Sequence, residues 1–176
     1  RGGEPREIGG RLPGAGQADM ECLGNALHGF LAADRPTIKS SQRIEIARGL
    51  LSRWNVASAL DAAAVLGAGD ALKVWVEKNW PGARWHREWP LRMQMKTGST
   101  LRGIADLVLE TRAGYVVIDH KSFPGGRDKA VEKAASYAGQ VLAYADAIRA
   151  ATGKPVVGAF IHLPVAGLVV AVETSR

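Results

Sequence analysis

The sequence predicts an α/β fold: a mixed central β-sheet flanked by α-helices, preceded by a helical section. Two observations carry this reading. Apolar residues recur at three- and four-residue intervals up to Trp80, then shift toward a period of two from Ala83 onward. The resulting element order is helices, three strands, one long helix and two strands. At 176 residues and 47% hydrophobic content, the chain is long enough for one domain with a real core.

Residues 1–18 hold six glycines and two prolines among charged residues and read as a linker or irregular lead-in. The expected domain covers 19–176, with a helical section at 19–82 and an αβ core at 83–176. Met20, Leu23, Leu27, Phe30 and Leu31 predict a first helix that stops at Asp34-Arg35-Pro36. A second is expected from Ser41 to Trp54, burying Ile44, Ala47, Leu50 and Leu51. Two short helices follow. Ser58-Ala-Leu-Asp61 resembles a capping box before Ala62 to Leu66, and Asp70 caps a segment in which Leu72, Trp75, Val76 and Trp80 face inward.

Residues 84–96, 100–111 and 115–123 read as three successive strands, the last two forming a hairpin around Ala113-Gly114. The longest helix is expected over 128–151, with Val131, Ala134, Ala138, Val141, Ala145 and Ile148 along one stripe and Gly153 as its stop. Tyr137, Gln140 and Tyr144 share another face of it. Closing strands are expected near 155–163 and 167–173.

Charge inside the second and third strands is the strongest chemical signal. Asp106, Asp119 and Lys121 stand in apolar runs where strands rarely carry ionised groups. By the pleat, Asp119 and Lys121 share one face, while Val116, Ile118 and His120 share the other. A hairpin loop with an even number of residues puts Asp106 on the face of Asp119, and an odd number turns it away. A loop of two or four residues is therefore expected. Two carboxylates and a lysine on one face can cradle a divalent metal and a phosphate. From these residues alone, an exposed strand pair with an Asp–Lys salt bridge is the favoured reading.

Composition bounds the partners. A formal charge of +6 and a pI near 9.8 make polyanions a partner class without specifying one. The single cysteine, Cys22, cannot supply a disulfide framework or an iron–sulfur cluster, and a reducing cytoplasm is the expected location. No run of 18 apolar residues reads as a membrane span. Ala151-Thr-Gly-Lys154-Pro lacks the spacing of a phosphate-binding loop, so no ATP motor is expected in this stretch.

Gly103-Ile-Ala-Asp106, then Val117-Ile-Asp119-His-Lys121, then Gln140-Val-Leu-Ala-Tyr144 resembles the PD-(D/E)xK nuclease superfamily, specifically its RecB-like branch. The resemblance implies a restriction-endonuclease-like core and Mg2+- or Mn2+-dependent DNA phosphodiester hydrolysis. It implies catalytic roles for Asp106, Asp119 and Lys121, and metal ligation by Asp106, Asp119 and the backbone carbonyl of His120. Gly24-Asn-Ala-Leu-His28 matches the branch's helical metal-binding histidine, so His28 is implied as a further ligand, with Gly24 leaving its helix face uncrowded. Gln140 and Tyr144 are implied to support the lysine and contact DNA. Glu88 stands where related nucleases sometimes carry a glutamate, and metal binding, orientation of Lys121 and a structural salt bridge all remain open for it. His86 and His162 receive no role.

The stretches from Gly9 to Met20 and from His28 to Asp34 are similar to the junction that follows a UvrD/Rep-type helicase motor. The resemblance therefore implies a nuclease domain of a helicase–nuclease in DNA recombination and repair, part of a longer polypeptide. Its implied partners are DNA, the linked motor and a second helicase–nuclease subunit. A catalytically silent, nuclease-like domain that grips DNA or couples it to the motor is the alternative. A purely structural module is a third reading.

Overall fold

The computed structural model describes residues 3–94 and 98–174. The elements are β1 (Arg6–Glu7), a 3-10 turn (Ala15–Gln17), α1 (Met20–Ala33), α2 (Ser40–Arg53), α3 (Ala62–Asn79), β2 (Arg84–Gln94), β3 (Thr100–Thr111), β4 (Gly114–His120), α4 (Arg127–Thr152), β5 (Val156–Leu163) and β6 (Leu168–Ala171). The six strands form one sheet in the order β1-β6-β5-β4-β3-β2. β4 and β5 run parallel, joined by the α4 crossover, and every other neighbouring pair is antiparallel. The sheet is mixed, as the sequence predicts. Residues 95 and 96, the predicted end of the first strand of the core, lie outside the described residues.

Each sheet face has its own apolar core. Leu23, Leu27 and Phe30 of α1 pack with Leu107, Leu109, Val116 and Ile118 on one face. On the other, Ala134, Val141, Ala145 and Ile148 of α4 pack with Val108, Val117, Ile161 and Val170. β4 thus obeys the predicted alternation.

Two local expectations need correction. The two short helices predicted at 62–66 and 70–80 are one helix, α3. Asp61 caps it by accepting from the Ala63 N–H, but Asp70 does not cap anything; it lies inside α3 and accepts from Arg43 Nη2 at 2.7 Å. Gly67 and Gly69 disfavour a helix by roughly 1 kcal/mol each. Packing outweighs this, because a Cβ on Gly69 would stand 3.0 Å from Asp34 Oδ2 and 3.1 Å from the Phe30 ring. Glycine there lets α3 lie close against α1.

The lead-in is not wholly irregular. β1 pairs with β6, the N–H groups of Ile8 and Gly9 donate to the Gly167 carbonyl, and Leu12 N–H donates to Val165. Leu12 and Ala15 are buried. Its backbone donors find acceptors along the otherwise open edge of β6, which a glycine-rich composition does not foretell.

Candidate active site

The β3–β4 hairpin closes through two residues, Arg112 and Ala113, between the Thr111↔Gly114 pair. The loop is even, as expected. The register continues to Leu107↔Ile118, so the next residues along it, Asp106 and Asp119, stand across from each other. Asp106 Oδ2 accepts the backbone N–H of His120 at 2.8 Å, tying the carboxylate to the neighbouring strand. The backbone N–H of Lys121 donates to the His162 carbonyl at 2.9 Å, extending the β4–β5 ladder to the lysine.

Strict alternation breaks at Asp106. Leu107 and Leu109 face the helical section, whereas Ala105, which should share their face, packs on the α4 side. β2 inverts at the matching place, with Trp85 on the first side and Leu91 on the second. The pairs Arg87↔Leu107 and Trp89↔Ala105 bracket the inversion, so Glu88 lies opposite Asp106. Glu88 has a φ of 49°, the left-handed region that side chains rarely adopt. This inversion puts Asp106 at a corner that both sheet faces can reach.

His28 arrives from α1 on one side. Its Nε2 lies 3.2 Å from Asp106 Oδ2, and its Nδ1 lies 2.9 Å from the Gly24 carbonyl. That carbonyl can only accept, so Nδ1 carries the proton and Nε2 faces the carboxylate. Two lone pairs at that distance repel unless a proton or another cation lies between them. Accordingly, although burial alone lowers the His28 pKa, the bond to Asp106 raises it overall. Burial likewise pushes Asp106 up, but His28 and the His120 N–H bring it below the usual carboxylate range.

Lys121 and α4 close the other side. Lys121 Nζ lies 2.9 Å from Asp119 Oδ2 and 4.9 Å from the centre of the Tyr137 ring. Asp119 is only 2% exposed, and among the described residues its buried Oδ2 is paired with the lysine ammonium alone. Burial first, then the Asp106 charge, push Asp119 well above the usual carboxylate range. Burial depresses Lys121, but Asp119 more than restores it and the ammonium stays charged.

Gln140 Nε2 donates to Tyr144 Oη at 2.9 Å. The Tyr144 ring lies over Gly103, where a Cβ would come within 2.9 Å of it. These two residues flank the site, and the aromatic face against Lys121 belongs to Tyr137. The sequence placed Tyr137 on this helix face without a role. Gly24 is not beside open space: a Cβ there would stand 2.6 Å from Ser122 Oγ, so α1 packs on the segment after Lys121. Arg11 of the lead-in pins the same segment by donating to the carbonyls of Pro124 and Gly125.

The remaining histidines are internal. The His120 ring turns away from the carboxylates, its Nδ1 2.9 Å from His162 Nδ1. Burial pushes His120 down to about 4 and His162 well below the ordinary histidine range. Both rings are neutral near pH 7, one donating to the other. His86 bonds Glu110 at 3.0 Å. Glu88 is exposed, with no hydrogen bond or ion pair among the described residues.

The donor set fits a divalent cation in chemistry. Asp119 Oδ2 is buried with Lys121 as its counter-charge, Asp106 acts on it from the neighbouring strand, and His28 Nε2 abuts Asp106. Among the described residues, no three His, Cys, Asp or Glu side chains are drawn into a closed ligand cluster.

The family model of the PD-(D/E)XK nuclease superfamily matches residues 7–173. One subunit of the ATP-dependent helicase/nuclease of Levilactobacillus brevis is 34% identical to the chain over 110 residues, 52% of this chain and 8% of that relative. The chain thus spans less than a tenth of that relative's length. No described helix is long and apolar enough to cross a membrane.

Proposed function

The chain belongs to the PD-(D/E)XK nuclease superfamily, and on that premise we propose that it is a metal-dependent deoxyribonuclease domain of a helicase–nuclease. The observation that carries this reading is the buried Asp119 carboxylate, paired with Lys121 alone among the described residues and pressed by the charge of a second carboxylate, Asp106. Burying two facing carboxylates is costly. The arrangement makes sense where a cation is to be received.

Asp106 and Asp119 would hold Mg2+ or Mn2+, with His28 Nε2 and the His120 carbonyl as further donors. Bound there, the ion supplies positive charge to the phosphoryl oxygens and favours ionisation of water. Lys121 stays protonated and so acts as a cation, stabilising charge that develops on phosphorus-bound oxygen or orienting the attacking water. Tyr137 restrains its ammonium through the ring face. His28 is held by Gly24 in the tautomer that offers Nε2. Gln140 and Tyr144, bonded to each other on the rim, are available to the DNA strand. In the cell, the substrate would be DNA delivered by a linked motor during recombination and repair.

The test is cleavage of end-labelled DNA by the chain in Mg2+ or Mn2+, with EDTA as control, beside Asp119→Asn. Metal-dependent cleavage lost in the variant is the expected result. DNA binding without cleavage in either metal would turn the reading to a silent, DNA-gripping domain.

A further inference from the structure

Arg87 is an arginine without a counter-ion. Its Nε is buried and has no hydrogen-bond partner, and its guanidinium lies 4.7 Å from the Trp85 ring centre. No carboxylate pairs with it among the described residues. The acid that faces it, Asp34, is already committed: Arg43 donates to both of its oxygens at 2.8 and 3.0 Å, and Lys73 Nζ stands 2.9 Å away. Arg35, the next charge facing Arg87, is also a cation. Its Nη1 is spent on the carbonyls of Ala32 and Asp34, which fixes the side chain and leaves its charge unneutralised.

Proteins rarely leave a half-buried guanidinium unpaired beside another cation, because desolvation and repulsion both oppose it. Burial first, then Arg35, lower Arg87 to about 10, so it remains charged at neutral pH. The position is informative too. Arg87 pairs across β2–β3 with Leu107, the residue next to Asp106, and its charge reaches the neighbouring His120. The surplus positive charge therefore lies one residue from the carboxylate site, on the side from which His28 enters.

We propose that Arg87, together with Arg35, forms a phosphate subsite that grips the DNA backbone beside the cleavage site. This rests on the nuclease reading above. A phosphodiester would accept from the two outer Nη groups, end-on in the forked geometry that guanidinium favours, while the sealed Nε keeps the group's charge uncompensated from within. Trp85 holds the planar group ready, so little side-chain freedom is lost on binding.

The experiment measures binding of a fluorescent DNA oligonucleotide across a salt series, in EDTA and on the Asp119→Asn background so that nothing is cut. Arg87→Met keeps the stem over Trp85 and removes the donors. Arg112→Met, at the exposed β3–β4 turn about five strand residues or ~17 Å away, controls for net charge. Arg87→Met is expected to weaken binding roughly tenfold and to lower the slope of log affinity against log salt by about 0.7–0.9. Its thermal midpoint should hold or rise, because an unbonded buried N–H is gone. Arg35→Gln, at an exposed position, should weaken binding and lower the slope in the same direction. If Arg87→Met and Arg35→Gln both match Arg112→Met, the subsite is overturned while the nuclease reading stands. A lower midpoint for Arg87→Met with unchanged affinity makes it a packing arginine and also overturns it. A parent chain that neither binds nor cleaves DNA removes both.

Discussion

Two buried charge clusters of this molecule, one in the helical section and one at the sheet corner, are built by opposite rules. In the helical section, Asp34 at the end of α1 is 3% exposed and takes bonds from Arg43 and Lys73, while Asp70 takes one from Arg43. Two acids face two bases, and the loop of contacts closes. Burial alone would raise Asp34, but Arg43 and Lys73 outweigh it and hold the carboxylate below its usual range. At the sheet corner, Asp106 and Asp119 face one lysine and one histidine, the two carboxylates repel each other, and Asp119 is pushed up by burial first and then by Asp106. The first cluster ties α1, α2 and α3 together. The second stays electrostatically incomplete, the expected condition of groups meant to receive a cation.

That contrast can be broken at either end. Arg43→Ala strands Asp34 in a buried site and should cost about 3–5 kcal/mol of folding stability in a denaturant titration. The protein that remains folded should cleave normally; a loss below 1 kcal/mol would mean the closed cluster is ornamental. Asp119→Asn should do the reverse. Cleavage should fall at least ~10²–10³-fold, with stability unchanged or raised, because a buried like-charge pair has been relieved. Marked destabilisation by Asp119→Asn would place both clusters in the same structural class.

Smaller effects sharpen the difference. Gly69→Ala in the helical section and Gly103→Ala beside Tyr144 each force a methyl into a tight contact, with an expected cost of ~1–3 kcal/mol. Only Gly103→Ala should also reduce cleavage, since it displaces the ring at the rim of the site; equal activity in both variants would detach Tyr144 from the reaction. The pH dependence of metal-free stability should separate the clusters by sign. Asp34 has a lowered folded pKa, so its stabilisation is full above the unfolded value near 4 and is lost as pH falls through the lower folded value. Asp119, raised to about 6, contributes the opposite: stability increases as pH falls from about 6 toward 4. Subtracting the Asp119→Asn profile from that of the parent should isolate this rise, and a flat difference would show that Asp119 is not strained by its surroundings.

Much of this was legible because it depends on local periods. The pleat has a period of two, so a two-residue loop, Arg112-Ala113, was enough to set the β3–β4 register that leads to Asp106 and Asp119. Capping and spacing located α1, α2 and α4 within a residue or two. The split of α3 into two helices failed for a tertiary reason: glycine at 69 disfavours a helix locally, but close packing on α1 rewards its missing side chain. The Tyr137 contact with Lys121 was hidden because helical spacing gives a face and not the neighbour that fills it. The subsite at Arg87 was hidden because a charge has no visible partner, or lack of one, until the fold is closed.

The sequence by itself determined the order of α1, α2, β2–β4, α4, β5 and β6, the two-sided sheet and the even hairpin loop, since each follows from hydrogen-bond geometry repeated over a few residues. Only the tertiary structure decided how His28 and Lys121, arriving from opposite faces, meet at one pair of carboxylates. That required β2 and β3 to invert their pleat together across Glu88 and Asp106. A left-handed φ at a glutamate is disfavoured locally and has no signature in residue type. It persists because two cores, packed on both sides of the sheet, leave that corner no easier path.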